Sequence, residues 1–317
     1  MKAVFLDQSS LDLNDLDLEP LIAVFDHLTL YPVTRSDQIV ERIQDADVVI
    51  SNKVVLDAET IRQCKNLKLI LISATGTNNI DLVQAKAQGI VVCNCQAYGT
   101  SAVAQHTLML MLALSTSLIQ YNHAVQQGQW NKASQFCLLD FPIVELAGKT
   151  LGIIGYGELG QNVAKLAKAF DMNVIVGAIP NRPHVDGRVP VRALFSQVDY
   201  LSLHCPLTDD TRDLIDADAF DLMKPTAFLI NCARGGIVNE QALADALRQG
   251  KIAGAATDVL TVEPPKNGNV LLEDDIPNLI ITPHSAWGSV DARQRIVQQL
   301  VENTQGFQSG QPIRQVN

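Results

Sequence analysis

Short apolar runs alternate with helical patterning along the chain, and this alternation constrains the fold more than any other feature. The first set of runs is Ala3–Leu6, Val48–Ser51, Leu69–Ser73 and Ile90–Asn94. Helix-like stretches such as Asp57–Cys64 and Asp81–Gln88 lie between them, the latter ending at Gly89, a natural helix stop. The second set is Thr150–Ile154, Asn173–Gly177, Tyr200–His204, Ala227–Cys232, Ala253–Thr257 and Leu279–Thr282. Strands separated by helices imply parallel sheets covered on both faces. Between the two sets, residues 101–127 read as one long helix stopped by Gly128, followed by a polar, Trp-bearing segment, Gln129–Lys149.

The expected fold class is therefore α/β, with two doubly wound parallel-sheet domains. Residues 1–100 would form a small flavodoxin-like domain, and residues 101–288 a Rossmann-type dinucleotide-binding sheet. A final helix near Ser289–Phe307 follows the second sheet, so residues 289–317 are expected to cross back and complete the first domain. The helix at 101–127 and the crossing near residue 288 would then be the hinges. The stretch Leu108–Leu114 is too short for the ~20 residues of a bilayer span and is broken by Ser115, Thr116 and Ser117.

Charge narrows the function. With 24 Lys and Arg against 34 Asp and Glu, the 317-residue chain carries −10. No basic excess is available to neutralise phosphates, which argues against nucleic acid or an anionic membrane as partner. The start, with one Lys before Asp7, lacks the apolar segment of a secretory signal. Cysteines 64, 93, 95, 137, 205 and 232 show no CxxC and no ligand spacing, so reduced thiols and no metal are expected. A cytoplasmic protein is the reading.

Gly155-x-Gly157-x-x-Gly160 stands where an apolar strand enters and an amphipathic helix leaves, with Leu159, Val163, Leu166, Ala167 and Phe170 on one side. In that context Gly155 allows a tight turn, Gly157 lets backbone approach a pyrophosphate, and Gly160 lets helix and strand pack closely. The next strand ends at Ala178, where NAD enzymes place an acidic residue for the ribose 2′-OH. Asp186 is the first acid beyond it, whereas Arg182 and Arg188 are near. A missing carboxylate removes repulsion of a 2′-phosphate and an Arg pairs with one, so NADP(H) is favoured over NAD(H). An ordinary solvated loop charge is the alternative reading of Arg182.

Three polar clusters fall at the carboxyl ends of strands, where open α/β sheets bind ligands. They are Asn231-Cys232-Ala233-Arg234, Thr257-Asp258 leading to Glu263, and Thr282-Pro283-His284. Arg supplies a fork for a carboxylate and polarises a carbonyl, His gives a proton to a developing alkoxide, and a carboxylate orients that His. The residues also allow plainer readings. Arg234 could cap a helix, Asp258 a turn, and Glu263 could be a solvated loop acid. His204 also ends a strand, so position does not choose between it and His284. His106, in the apolar helix, reads as packed or hydrogen-bonded.

With these residues the chain resembles the D-isomer-specific 2-hydroxyacid dehydrogenases over nearly its whole length. The similarity includes Ala74–Asp81, Tyr98–Thr107, the Gly155 loop, His204–Leu207 and the three clusters. It implies hydride transfer between NAD(P)H and a small 2-oxo acid such as hydroxypyruvate or glyoxylate. It also implies Arg234 as the substrate-binding catalytic residue, His284 as acid–base and Glu263 as its partner. Asp258 would contact the nicotinamide end, and Glu158 and Leu159 the pyrophosphate. Thr107, Cys205, Pro206, Cys232 and Ala233 would line the cofactor site, and Thr75 and Gly76 would face the substrate carboxylate. Domain closure and a homodimer built on the helix at 101–119 are implied too. An NAD(H)-sensing protein that recruits partners is the alternative from a different class; the chain shows none of the long tails that role commonly uses.

Overall fold

Runs such as Val48–Ser51 and Leu69–Ile72 have no polar face, and each residue in them is buried. That pattern suits strands covered on both sides, as in parallel sheets. The computed structural model describes residues 1–183 and 185–317 and divides into two units, Met1–Gly99 with Gly288–Asn317, and Thr100–Trp287. Both are α/β with parallel strands, the expected fold class.

Among the described residues, the first unit holds β1 (Lys2–Phe5), β2 (His27–Leu30), β3 (Val48–Ser51), β4 (Leu69–Ile72) and β5 (Val91–Cys93), ordered β2-β1-β3-β4-β5. β2 was not anticipated; it is a half-exposed edge strand whose His27 and Thr29 break the apolar pattern. Asp57 and Asp81 cap the helices Ala58–Gln63 and Leu82–Ala87 by accepting from Thr60 and Gln84 N–H groups, and Gly89 at φ +72° stops the second. The helix Val290–Gln308, capped by Ser289, belongs to this unit and buries Ile296, Val297 and Leu300. Its Arg293 forks onto Asp15 at 2.7 and 2.6 Å, and Asn303 donates to the Asn94 carbonyl.

The second unit holds β6 (Thr150–Ile154), β7 (Asn173–Ala178), β8 (Arg188–Pro190), β9 (Tyr200–Leu203), β10 (Phe228–Asn231), β11 (Gly254–Thr257) and β12 (Leu279–Ile281). Their order, β12-β11-β10-β9-β6-β7-β8, is the Rossmann arrangement with one added strand. The sequence suggests only six strands here and misses β8, three residues at the outer edge, which takes the third position of the Rossmann order, while β12 is the added strand. All pairs are parallel, so the carboxyl ends share one edge, and the order reverses between β6 and β9. Ligands of such sheets bind at that reversal.

The expected single helix over 101–127 is instead two, Thr100–Ser115 and Leu118–Gln126, bent by 61°. Ser115 and Thr116 hydroxyls donate back to the Met111 and Leu112 carbonyls, and Ser117 turns left-handed at φ +50°. Such side-chain competition for backbone acceptors bends helices without Gly or Pro. Tyr200 and Ser115 share a 2.7 Å hydrogen bond in the core, tying the first of these helices to β9. Among the described residues no single helix is long and apolar enough to cross a membrane.

Candidate active site

β6 runs into Gly155 at φ +94°, a conformation that favours glycine. A Cβ there would lie 2.4 Å from the Cys205 nitrogen and the His204 carbonyl carbon, and one on Gly160 would lie 2.1 Å from the Gly155 oxygen. Both glycines therefore permit close backbone approach. Gly157 differs, because a Cβ there would meet nothing within 4 Å. It caps the helix Glu158–Ala169 and, having no side chain, makes no side-chain cap bond to the N–H groups of the first turn. The helix start presents N–H groups and positive dipole to open space, which fits a pyrophosphate. Leu159 packs onto the core, and Glu158 accepts from Thr100 Oγ1 at 2.7 Å. Beyond β7, Ala178 ends the strand. Arg182 is exposed, with Nε 4.0 Å from Asp210, whose other oxygen accepts from Asn181.

The loop after β10 is stapled by Asn231, which accepts from Ala233 N–H and donates to the Arg234 carbonyl, both at 3.0 Å. The Arg234 guanidinium is exposed and donates to the Ala233 carbonyl at 2.7 Å. Gly235 follows, where a Cβ would lie 2.0 Å from the Leu260 oxygen, so only glycine lets the Arg234 loop pack against the segment leading to Glu263. Leu260 N–H in turn donates to Glu263 Oε1 at 2.7 Å.

Glu263 Oε2 and His284 Nδ1 are 2.5 Å apart, though 21 residues separate them in sequence. The carboxylate thus takes Nδ1 and leaves Nε2 as the atom able to give or take a proton. Asp258 is buried and accepts from Ser285 and Ala286 N–H groups and from the Thr282 hydroxyl. Thr107 is fully buried and donates to the Val103 carbonyl. Burial raises the Cys205 thiol to about 11 and the Cys232 thiol to about 12, so both are neutral packing groups, while Pro206 is exposed. In the first unit Thr75 and Gly76 follow β4. Thr75 donates to the Cys95 carbonyl, and its own carbonyl accepts from Asn94, which leaves this turn exposed at the carboxyl end of that sheet.

The two histidines left open by sequence separate here. His204 bonds Ser202 through Nε2 at 2.8 Å, its Nδ1 is enclosed, and burial lowers its pKa to about 4. It is neutral near pH 7 and has no carboxylate partner in these contacts. Because the unfolded imidazole takes up a proton near 6.5 and the folded one only near 4, stability falls as pH drops through that window and is flat above it. The contribution is about 3 kcal/mol. His204→Asn should therefore flatten the loss of urea midpoint between pH 7 and pH 4.5; an unaltered slope contradicts a buried neutral imidazole. His106 is hydrogen-bonded, as its place in the apolar helix suggests, but the sequence does not show the partners of Asn231, the close approach at Gly235 or the contact of Thr282 with His106. The signal for that contact was present, since a His within an apolar helix and a Thr two residues before His284 both need partners.

A family model described as D-isomer specific 2-hydroxyacid dehydrogenase, NAD binding domain, matches residues 108–286. A glycerate dehydrogenase of Methylorubrum extorquens is 46% identical over 313 residues, covering 98% of this chain and 97% of that protein. A hydroxypyruvate reductase of Blautia hydrogenotrophica is 36% identical, with all of both chains covered. An acyclic imino acid reductase solved in complex with NADPH and D-Arg superposes with a TM-score of 0.85 at 30% identity, over the full length of both chains. From the nucleotide loop, the His–Glu pair and these matches together, this chain belongs to the D-isomer-specific 2-hydroxyacid dehydrogenase family.

Proposed function

We propose that this protein reduces a small 2-oxo acid, hydroxypyruvate or glyoxylate, to the D-2-hydroxy acid. The observation that carries the reading is the 2.5 Å His284–Glu263 pair, built from the same strand-end edge as Arg234. A nicotinamide nucleotide, its pyrophosphate on Gly155, Gly157, Glu158, Leu159 and Gly160, supplies the hydride when bound. Arg234 holds the substrate carboxylate with its fork and draws electron density from the carbonyl oxygen. As the carbonyl carbon gains hydride, His284 Nε2 gives its proton to the oxygen, so C=O becomes CH–OH. Glu263 accepts from Nδ1–H and stabilises the imidazolium before transfer. Asp258, Thr107, Cys205, Pro206, Cys232 and Ala233 are assigned to the cofactor's nicotinamide half and its surroundings, and Thr75 and Gly76 N–H groups to the substrate carboxylate.

The finer cofactor reading is NADPH over NADH. Its support is Ala178 in place of a carboxylate at the end of β7, with Arg182 and Arg188 nearby; Asp210 beside Arg182 works against it. A panel of 2-oxo acids followed by loss of nicotinamide absorbance tests both points. Hydroxypyruvate and glyoxylate should be reduced, with higher kcat/KM for NADPH. A strong NADH preference refutes the reading of Ala178 and Arg182.

A homodimer is the proposed assembly. Its support is that Met109, Leu118, Ile119, Val125 and Trp130 are exposed along the two bent helices and the turn after them, and exposed apolar side chains grouped on one segment suit a protein contact. Sedimentation should give about twice the chain mass; a monomer at assay concentration defeats the assignment.

A further inference from the structure

The hydroxyl of Thr282 donates to Asp258 Oδ1 at 2.5 Å, and His106 Nε2 lies 3.0 Å from the same hydroxyl oxygen. A hydroxyl has one proton. Since Thr282 commits it to Asp258, the contact with His106 requires Nε2–H as donor and Thr282 as acceptor. The direction of the chain is thereby set: His106 Nε2–H to Thr282 O–H to Asp258. His106 Nε2 is also 3.6 Å from Asp258 Oδ1. Both side chains are largely enclosed, at 15% and 2% exposure, so water does not replace these bonds cheaply.

The far end of this chain holds His284 from both sides. Asp258 binds Thr282 two residues before it, and Ser285 and Ala286 N–H groups immediately after it. His284 itself sits at φ +51°, and its own N–H bonds the Thr282 carbonyl at 3.0 Å. A non-glycine residue stays in that region only when its surroundings hold it there. The clasp does so, and it aims the imidazole at Glu263.

We propose that His106 and Thr282 are positioning residues for the reaction, acting through Asp258 on the backbone that carries His284. The proposal rests on the reading of His284 as proton donor. His106, on the helix Thr100–Ser115, has a fixed tautomer so that the Thr282 proton stays on Asp258. Neither side chain is assigned a contact with the reacting atoms.

Thr282→Val removes the hydroxyl at nearly constant shape, and Thr282→Ser keeps it. Displacing a catalytic group by a fraction of an ångström to one ångström costs up to about 100-fold. The Val variant should therefore lose about 10- to 100-fold in kcat, with KM for the 2-oxo acid and Kd for NADPH within about threefold. The Ser variant should recover kcat to within about threefold of the parent. A general loss of folding would instead fail to show that split, and would not be rescued by Ser. Long-range proton–nitrogen correlation spectra of histidine-labelled protein give a second readout that needs no turnover. His106 should carry its proton on Nε2 in the parent and the Ser variant, and lose that fixed state in Val. An Nδ1–H tautomer in the parent, or a Val variant with parental kcat, overturns the proposal. A parent that turns over no 2-oxo acid overturns the functional reading instead, and the tautomer measurement still decides the hydrogen-bond direction.

Discussion

His284→Ala is expected to lower kcat about 10²–10⁴-fold, the range over which a positioned general acid acts. The loss is one of proton transfer. Glu263 remains, but a carboxylate that keeps its bond to Leu260 N–H has no imidazole through which to deliver a proton. Affinity for the nicotinamide cofactor should stay within about threefold, because the Gly155 turn and the helix at Glu158 owe their geometry to glycines and to the backbone of His204 and Cys205. Nicotinamide fluorescence titration and steady-state turnover on one preparation separate these effects. Parental turnover in the Ala variant would sink the assignment of His284, and a parallel loss of cofactor binding would reassign it to cofactor binding.

Arg234→Lys should lower kcat/KM about 10²–10³-fold although the charge is kept. A carboxylate is held bidentately by the planar guanidinium, and an ammonium on a flexible stem offers one point of contact. The side chain is exposed and its loop is held by Asn231, so the variant should fold normally and bind the nicotinamide cofactor as the parent does. The result should appear in KM for the 2-oxo acid as well as in kcat, since the role proposed for the fork is both to bind the carboxylate and to polarise the carbonyl. A change below about threefold in kcat/KM would show that the carboxylate is bound elsewhere.

Much of this fold can be read in the residues because the central strands are buried on both faces. Leu69–Ile72 is apolar throughout, Val48–Ser51 and Phe228–Asn231 are apolar runs with one polar residue at the end, and no other element of similar length suits them. The strands that escape notice are His27–Leu30 and Arg188–Pro190, both at sheet edges and partly exposed. One-sided burial leaves a mixed pattern that a loop shares. The bend at Ser117 escapes for a different reason: the hydroxyls of Ser115 and Thr116 compete for helix carbonyls, that of Ser117 bonds the Pro142 carbonyl, and no Gly or Pro marks the place.

The site is legible in part. Arg234, Glu263 and His284 follow strands that are recognisable as such, so their shared edge follows from the parallel topology. The pairing of Glu263 with His284, and the exclusion of His204, do not follow from position. They depend on a close approach at Gly235 and on backbone N–H donors from Leu260, Ser285 and Ala286, which carry no mark in side-chain identity. Arg182 illustrates the converse. Its type and place suggest a phosphate contact, and Asp210, 28 residues later, is a neighbour that spacing does not reveal.

The central claim, hydride exchange at the carbon bearing the hydroxyl of a D-2-hydroxy acid, is tested most directly by running the reaction backwards. Purified protein would be given NADP⁺ or NAD⁺ with D-glycerate or with L-glycerate at alkaline pH, and nicotinamide reduction followed by absorbance. The account predicts reduction of the cofactor with D-glycerate and none above background with the L isomer. Equal rates with the two isomers, or no reduction with either while the same protein binds cofactor, would contradict it.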